Sequence, residues 1–563
     1  MAHYQLLDLA PEVLHNIFQN VEPSDLASLA RTCHHLNNCI RSDEFLWRLH
    51  YLSLFVRVKA GFHDDLISTA PPADQDLLSG SSSRRRYQVL ARKTDPFSMT
   101  WTAMSSNRFH ATNHVFQTEA LEEVLTQTVR LAEQATASST KISDFLSNLY
   151  SKGVNINTFL CRSSLFARAR PHQWPAAPTE ALRQLSAKLH VLAGLNLDSP
   201  WPASDGLSCP HVAVAGLRGP FDDSYDDDEY EDPDIDETNQ SEEERHLLRS
   251  SPRPIRDVHP WARSRVYDLR RYNESNMWGP FTEDGTQRVD WEKVQAIMVV
   301  LGFNHRMYTE RRGLSGTDFL GLPGSPPRST GEGSRSVSST RSNLLKPWES
   351  LFAGIAPNSY VSSPLTGKIK PAPNPSLDAL DPYGVTGTWM RIVCFLDYND
   401  LYRFNFERNA DIPADQERDP ITTREAFRLI KLQLHVTRIE EQEEKGEDGR
   451  DLMPAVYFAG TSRSTFMAWD PNANSSIRGS VRETRTGAIR WTSFSIFHGE
   501  ERWRSEGVQV GGLRSARGIL GNWFDKDYDV HGPAGPTAFW KVSDDIIEEK
   551  RTLPQMLQIF MAE

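Results

Sequence analysis

Apolar residues in the first fifty positions recur at helical spacing. One stripe is formed by Val13, Leu14, Ile17, Phe18 and Val21. Pro11 and Glu12 suit the first turn of this helix, because a missing N–H costs nothing there and a carboxylate meets the positive end of the helix dipole. A break follows at Pro23, where Ser24 or Asp25 can cap a second helix. The pattern therefore predicts short amphipathic helices in succession.

Two further apolar groups extend this pattern to residue 49. The second helix carries Leu26, Leu29, Ala30 and Cys33, and the third carries Leu36, Cys39 and Ile40. Ser42 can cap a final turn that brings in Phe45, Leu46, Trp47 and Leu49. Three such helices bury little surface, so we expect the unit to lean on a partner or on the next domain.

The helical period also dominates the middle of the chain, up to about residue 197. One helix is marked by Leu121, Val124, Leu125, Thr128 and Leu131, and another by Leu182, Leu185, Leu189 and Leu192. No fixed repeat period is present, which argues against a helical repeat array. A later helix follows Trp291, with Asp290 as its cap. The aromatic-rich segment 266–281 before it is expected to pack against the C-terminal domain.

After about residue 384 the period changes from 3.6 to 2. Ile430, Leu432, Leu434 and Val436 alternate with polar residues, whereas residues 389–396 are apolar on both faces apart from Arg391. The candidate strands are 389–396, 400–406, 430–436, 455–460, 478–484, 489–497, 502–510, 516–523 and 537–542. Short strands at this spacing, separated by glycine-containing turns, predict an antiparallel barrel or sandwich.

Two polar tracts interrupt the globular pattern. The net charge is −12, yet residues 222–244 alone contain fourteen Asp and Glu, so the rest of the chain carries about +2. Such a tract cannot bury enough apolar surface to fold, although it could dock on a basic surface of a partner. Residues 313–342 are rich in Gly, Ser and Pro and predict a flexible insertion, in which Ser325-Pro326 is a candidate phosphorylation site.

Cysteine content and hydropathy constrain the location. The five cysteines are Cys33, Cys39, Cys161, Cys209 and Cys394. Their odd number and scattered spacing indicate a reducing compartment and no zinc site, the Cys33-His34-His35 group included. The longest apolar run, 296–301, is too short to span a bilayer, and charged residues near the N-terminus exclude a signal-peptide core. We therefore expect a cytoplasmic or nuclear protein, or both, with no membrane partner and, lacking a basic face, no nucleic-acid partner.

The N-terminal pattern resembles an F-box in its order of apolar residues, its turn at 23–26 and its closing Leu46-Trp47. This resemblance implies a three-helix module that docks on the Skp adaptor and so joins a cullin–RING ubiquitin ligase. The positions that carry over to the module or its adaptor face are Leu9, Pro11, Leu14, Ile17, Phe18, Leu26, Leu29, Cys33 and Trp47. One departure is Ala10, which stands where the family has proline, with Pro11 one place later; we expect this shift to weaken the contact slightly. The alternative is a generic helical hairpin.

The C-terminal part resembles a second group. Gly387-Thr388-Trp389 opens the first long strand and is similar to the Gly-x-Trp signature of lipocalin-type barrels, whose tryptophan plugs one end. The stretch 502–541 is similar to the barrel of uncharacterised fungal F-box proteins. Together the two resemblances cover the F-box and about the last 180 residues, and they leave the centre poorly covered.

A loop in this stretch is the best candidate for a binding site. Its members are Trp523, Asp525, Lys526, Asp527, Tyr528, Asp529 and His531, closed by the Gly/Pro-rich segment 532–536, with positive charge from Arg502, Arg504 and Arg514 and the ring of Trp503 nearby. A rigid loop at a barrel mouth can hold polar groups towards a ligand. The alternating aspartates lack the closing Glu of a calcium loop. The alternative is that they cap turns and pair with the arginines.

No catalytic motif for phosphate, dinucleotide, metal or serine chemistry is present. His531 beside Asp527 or Asp529 could do acid–base work, but the sequence supplies no nucleophile or metal. We therefore expect a non-catalytic protein without a cofactor.

The fold class expected is α+β multidomain. The domains are an F-box at 1–55, a helical scaffold at 56–220, an acidic disordered linker at 221–255, a helical and aromatic segment at 256–311, a disordered insertion at 312–345, and at 346–563 a lipocalin-like barrel of eight or nine strands with a short C-terminal helix.

The leading hypothesis is a substrate adaptor of a Skp–cullin–F-box ubiquitin ligase, whose barrel captures a protein for ubiquitination and proteasomal degradation. The alternatives are a small-ligand-binding, lipocalin-like sensor, motivated by the Gly-x-Trp opening and the strand number, and a Skp-bound structural protein without ligase function.

Overall fold

The computed structural model describes part of the chain in detail. The described residues are 9–21, 23–30, 32–43, 46, 121–122, 125–126, 128–130, 132–133, 146–147, 150, 156–170, 175–195, 253–312, 347–348, 376–408, 410–423, 425–465, 474–513, 515 and 517–546. The acidic tract, the Gly/Ser/Pro-rich insertion with Ser325-Pro326, the expected C-terminal helix, Trp47 and Arg514 lie outside them. The chain forms two units, residues 1–163 with 176–189 and residues 164–175 with 190–563.

Three short helices form the N-terminal module. They are α1 (Pro11–Gln19), α2 (Pro23–Ala30) and α3 (His34–Ser42). Their small core consists of Leu14, Phe18, Leu26, Leu36 and Ile40, together with Leu46 beyond α3. The predicted order of three amphipathic helices is confirmed.

Two helix ends of this module differ from the predicted ones. α2 ends at Ala30, so Cys33 is the N-cap of α3, and its sulfur accepts a hydrogen bond from the Leu36 N–H at 3.5 Å. Asp43, rather than Ser42, caps the next turn and accepts from the Leu46 N–H at 2.8 Å. A carboxylate is the stronger acceptor of the two, which explains its choice over the neighbouring hydroxyl.

The middle region is helical where it is described. Residues 121–122, 125–126, 128–130 and 132–133 are helical, and a short π-helical turn (Ile156–Leu160), α4 (Ser164–Ala169) and α5 (Glu180–Ala193) follow. The Ser186 hydroxyl donates to the Phe159 carbonyl at 2.6 Å and accepts from the Arg162 N–H at 3.1 Å. This buried serine thereby satisfies backbone groups that the π-helical turn and the residues after it leave unpaired.

Two longer helices precede the barrel, α6 (Arg253–Val266) and α7 (Trp291–Arg312), with a 3₁₀ turn (Leu269–Arg271) between them. Asp290 caps α7 as predicted, its carboxylate accepting from the Lys293 N–H at 3.2 Å. The apolar run 296–301 is wholly buried, because α7 lies between α6 and the barrel wall.

The C-terminal domain is a closed barrel of eight antiparallel strands, in which each strand pairs with the next and β1 pairs with β8. The small helix α8 (Leu377–Leu380) precedes it. The strands are β1 (Gly387–Leu396), β2 (Glu425–Glu440), β3 (Ala455–Ser464), β4 (Asn474–Glu483), β5 (Ile489–Phe497), β6 (Glu500–Gln509), β7 (Ile519–Asp525) and β8 (Ala534–Ser543). The prediction of an antiparallel barrel of eight or nine strands is confirmed with eight.

The ninth predicted strand, 400–406, is wrong. This segment forms α9 (Tyr398–Tyr402), capped by Asp397, and a π-helical turn (Arg403–Glu407). Leu401 and Phe404 lie three residues apart, and both are buried in a small cluster beside the barrel. Two apolar residues at this spacing share one face of a helix but opposite faces of a strand, so burial of both favours the helix.

Trp389 closes one end of the barrel. It is fully buried, its ring centroid lies 5.3 Å from that of Trp491, and its indole N–H donates to the Val385 carbonyl at 2.9 Å. Interior side chains from seven of the strands complete this apolar plug, among them Leu432, Leu434, Val456, Phe458, Val481, Ile519 and Phe539. We call the opposite end of the barrel, where β1 finishes, the mouth.

The outer face of β1, β7 and β8 is covered by α7. Trp540 on β8 packs against His305 of α7 and against Trp348, at centroid distances of 5.7 and 5.5 Å. Strand β1 is therefore buried on its interior and exterior sides alike, as its continuous apolar run predicted.

The aromatic segment 266–281 docks on the barrel through Glu425, the first residue of β2. The Tyr267 hydroxyl donates to this carboxylate, and the Asn304 amide donates to it at 2.8 Å. The Arg263 guanidinium lies 3.2 Å from the same group. Trp278 adds a ring contact with Phe524 of β7 at 6.2 Å. Through these contacts the segment packs on the C-terminal domain.

Two buried histidines predict an acid-sensitive fold. Burial, with Arg517 nearby, lowers the pKa of His190 to about 3, and burial beside Arg263 holds the pKa of His259 well below its usual range. Near pH 6.5 these two histidines therefore bind protons in the unfolded chain but not in the folded one. As a result the free energy of unfolding keeps their full contribution above about pH 6.5 and falls as the pH drops below it. Urea unfolding over a pH series measures this slope.

The substitution His190→Gln is expected to make the loss of unfolding free energy between pH 6.5 and pH 4 less steep. The same substitution at His435, whose ring is exposed on β2, is the matched control and is expected to leave the slope unchanged. A slope that is identical in the His190 variant and the parent would contradict the assignment.

Candidate functional site

The positions expected to form the F-box or its adaptor face divide into core and surface. Leu14, Phe18 and Leu26 are buried in the module, whereas Ile17 is 38 % exposed. The partly buried positions are Leu9, Leu29 and Cys33. Pro11 is the first residue of α1, and Trp47 lies outside the described residues. Of the described positions, Ile17 is the most accessible to a partner.

Val13 is a surface residue of the predicted apolar stripe that was not assigned to the adaptor face. It is 44 % exposed and lies four residues before Ile17, so both side chains stand on one outward stripe of α1. A hydrogen bond between the His15 ring and the Asp43 carboxylate joins α1 to the residue after α3. The helical spacing of Val13 and Ile17 was the signal available in the sequence.

The mouth of the barrel is lined by aromatic rings. Trp523 of β7 packs perpendicular to Trp503 of β6 and to Phe395 of β1, at centroid distances of 5.2 and 6.5 Å. The Trp523 indole N–H donates to the Cys394 carbonyl at 3.0 Å, which locks its ring against β1. The interior at this end is thus framed by three large rings from three strands.

Two guanidinium groups lie on these rings. Arg502 stands 5.1 Å from the centre of the Trp503 ring, and Arg428 of β2 stands 5.3 Å from that of Phe395. Cations over aromatic faces keep their charge near the apolar rim. The mouth therefore presents flat apolar surface edged by positive charge.

The loop after β7 is ordered by its own aspartates. Asp525 accepts from the Asp527 N–H at 2.9 Å, and Asp529 accepts from the His531 N–H at 3.0 Å. Asp527 pairs with Lys526 at 2.5 Å. Asp525 and Asp529 thus cap turns, as the alternative reading of the sequence supposed, and Asp527 pairs with a lysine where that reading expected an arginine. No group of acidic, histidine or cysteine side chains able to hold a metal is present within the described part of the chain.

His531 belongs to an aromatic wall beside the mouth. Its ring lies 4.7 Å from Phe406 and 6.0 Å from Tyr402, and Tyr402 lies 6.3 Å from Tyr398. Tyr398 is 50 % exposed and Tyr402 37 %. The spacing of four between Tyr398, Tyr402 and Phe406 was a helical signal, and it would have identified this wall from the sequence.

The structure therefore brings some of the predicted binding residues together at the mouth, whereas others form turn caps or hydrogen bonds within the protein. Trp503, Trp523 and Arg502 meet at the mouth, and His531 joins the wall next to it. The three aspartates serve the turn, and Arg504 is directed to Glu506 and to the hydroxyl of Tyr528. Phe395, Arg428, Tyr398 and Tyr402 are mouth residues that the sequence reasoning missed.

Comparison with known proteins supplies one match. The family model described as F-box-like covers residues 6–53. Neither a curated protein nor a solved structure matches the chain. The N-terminal module is therefore an F-box-like domain, and the chain combines it with a closed eight-stranded barrel. Across the described residues, no helix has the length and apolar character needed to cross a membrane.

The bond from Trp523 to β1 yields a prediction. Trp523→Phe keeps an aromatic ring but removes the N–H that the Cys394 carbonyl accepts, and we expect a loss of about 1 kcal/mol in the free energy of unfolding. Trp503→Phe is the matched control, since the Trp503 N–H makes no hydrogen bond within the described residues. Urea unfolding measures both, and equal losses would show that the bond contributes nothing specific.

Proposed function

We propose that this chain is a non-catalytic substrate adaptor of a cullin–RING ubiquitin ligase. In this proposal the F-box-like domain docks on the Skp adaptor, and the barrel mouth captures a protein for ubiquitination and proteasomal degradation. The observation that carries the proposal is the F-box-like match at 6–53, borne by three helices with an apolar stripe on their surface.

The surface of α1 supports the docking half. Val13 and Ile17 expose apolar side chains although the core of the module is already filled by Leu14 and Phe18. A three-helix unit with so small a core gains stability by burying such a stripe against a partner. A Skp adaptor is the partner that F-box domains imply.

The composition of the mouth supports the capture half. Tryptophan, tyrosine and arginine dominate the residues that carry binding energy in protein interfaces. Trp503, Trp523, Arg502, Tyr398 and Tyr402 provide these types at one end of the barrel. We infer that the segment captured is apolar or aromatic, with acidic residues to meet the guanidinium groups.

The same proposal places the protein in the cytoplasm, the nucleus or both. Cys33, Cys39, Cys161 and Cys394 are free thiols. Thiols persist in reducing compartments, which is where cullin–RING ligases would meet the chain.

Ile17→Asp tests the docking half. A charge on the exposed stripe has to be desolvated on docking, so we expect co-purification of the Skp adaptor to fall at least tenfold while the helical content of the chain is kept. Gln19→Glu is the matched control, because it adds the same charge at a half-exposed position on a different side of α1. Undiminished co-purification with the Ile17 variant would refute the assigned face.

The expected substrates are proteins that co-purify in larger amounts with the Ile17→Asp variant than with the parent. Adding Trp503→Ala to that variant should abolish their co-purification. Their ubiquitination by the reconstituted ligase separates an active adaptor from a Skp-bound structural protein.

A further inference from the structure

The outer wall formed by β2, β3 and β4 carries mainly positive charge. Side chains of a strand alternate between its two faces, and Leu434 of β2, Phe458 of β3 and Ile477 of β4 belong to the interior plug. The charged residues that point outwards on these strands beyond Ile430 are Lys431, Arg438, Glu440, Arg463, Arg478 and Arg482. Five of the six are cations.

Arg438 joins this wall because of a bulge in β2. The register of β2 against β3 shifts after Val436, so that Arg438 pairs with the outward residue Tyr457, and its guanidinium lies 4.1 Å from the centre of that ring. The sequence did not reveal a basic face, because its members come from three strands and meet only through strand pairing.

The described helices pack chiefly on other parts of the barrel. α7 lies against β1, β7 and β8, and α8 lies against β2. The arginines of the wall are therefore open to solvent. The side chains of Arg438 and Arg478 are 58 % and 59 % exposed, and Arg463 and Arg482 are exposed as well.

Positive charge on this wall exceeds negative charge. Arg438 pairs with Glu440 at 2.8 Å, and Arg478 pairs with Glu501 of β6. Arg463 and Arg482 form no ion pair with a described residue. With Lys431 included, five cations stand against two carboxylates, so the wall carries a net charge of about +3.

A small recess lies in this wall between β2 and β3. It is lined by Lys431, Gln433, Thr461 and Arg463. Lys431 and Arg463 are directly opposite each other in the register, a placement in which two like charges repel. The Thr461 hydroxyl donates to the Gln433 side chain at 3.3 Å, and this neutral pair lies beside the two cations. An anionic group in the recess offsets the repulsion between them.

The arginines follow the direction of β3. Arg463 lies at one end of that strand, Arg478 pairs with the strand four residues earlier, and Arg438 pairs with it six residues earlier. Arg482 lies one further step of two residues along. From Arg463 to Arg482 this line is ~27 Å long, the rise of eight residues of an extended chain. Its members are separated by even numbers of residues, so one face of an extended segment lying along β3 meets them all.

We propose that this wall docks an extended acidic segment of a partner protein, with one carboxylate in the recess and others on the arginines along β3. Such a segment directs alternate side chains to one face at intervals of ~6.8 Å, so acidic residues two or four apart meet successive cations. A guanidinium holds a carboxylate in a bidentate pair, which suits the arginine-rich composition of the wall.

The carboxylates on the wall favour a protein segment over a nucleic acid. Glu440 and Glu501 lie beside the line of arginines, and a protein segment can place neutral or basic residues opposite them. A nucleic-acid strand carries a phosphate every ~3.4 Å along a duplex and therefore brings negative charge to these positions too.

This surface goes beyond the proposed adaptor role, because it uses neither the rings at the barrel mouth nor the F-box-like domain. Failure of docking on the Skp adaptor, or of capture at the mouth, leaves it untouched, so the proposals fail separately.

Titration of the full chain with a twelve-residue peptide of alternating Glu and Thr tests the wall. We expect binding that weakens at least tenfold between about 0.05 and 0.5 M NaCl, because salt screens exposed charges. A peptide of alternating Gln and Thr, and a DNA duplex of similar length, are expected to bind at least tenfold more weakly. Absence of binding by the Glu peptide, or DNA binding as tight as that of the Glu peptide, overturns the proposal.

Deletion of residues 222–244 distinguishes a partner from the chain's own acidic tract. We expect the affinity for the Glu peptide to stay within twofold of the parent value. A tenfold gain would assign the wall to the tract and overturn the partner.

The double substitution Arg463→Gln with Arg482→Gln assigns the binding to the wall. We expect the affinity for the Glu peptide to fall tenfold or more at an unchanged unfolding temperature, because both side chains are exposed. Arg288→Gln with Arg408→Gln is the matched control, since it removes the same charge from exposed positions outside β2, β3 and β4. A variant at Arg463 and Arg482 that binds the peptide as tightly as the parent would overturn the assignment.

Discussion

The pairing of β1 with β8 is the constraint on which the C-terminal domain depends. This pairing joins residues 388–393 to residues 537–543 and turns an eight-stranded sheet into a barrel without edges. Closure creates an inside, and it also presses β1 between that inside and α7. A strand buried on both faces has no solvent to satisfy its polar groups, so each polar side chain on it needs a partner within the protein. Arg391 is the residue of β1 for which this requirement is most severe.

The two sides of the barrel wall meet this requirement differently. On the outside of the barrel, charges are buried together: the Glu425 carboxylate accepts from Tyr267 and Asn304 and lies beside Arg263, and the Glu506 carboxylate pairs with Arg490 and Arg504. Inside the barrel, the Arg391 guanidinium donates only to the hydroxyl groups of Thr537, Ser495 and Ser505.

Periodicity made most of the architecture predictable. The sequence pattern predicted α1 to α3, α5, α7 and β2, because apolar residues recur in each at the spacing of its own secondary structure. The segment 400–406 was wrongly predicted as a strand, although the spacing of three between Leu401 and Phe404 favours a helix when both are buried. The loop aspartates had two readings, and only contacts show that Asp525 and Asp529 serve the turn. Partners such as Ser495 and Ser505 for Arg391 are set by closure, which brings distant strands together, and no local pattern encodes it.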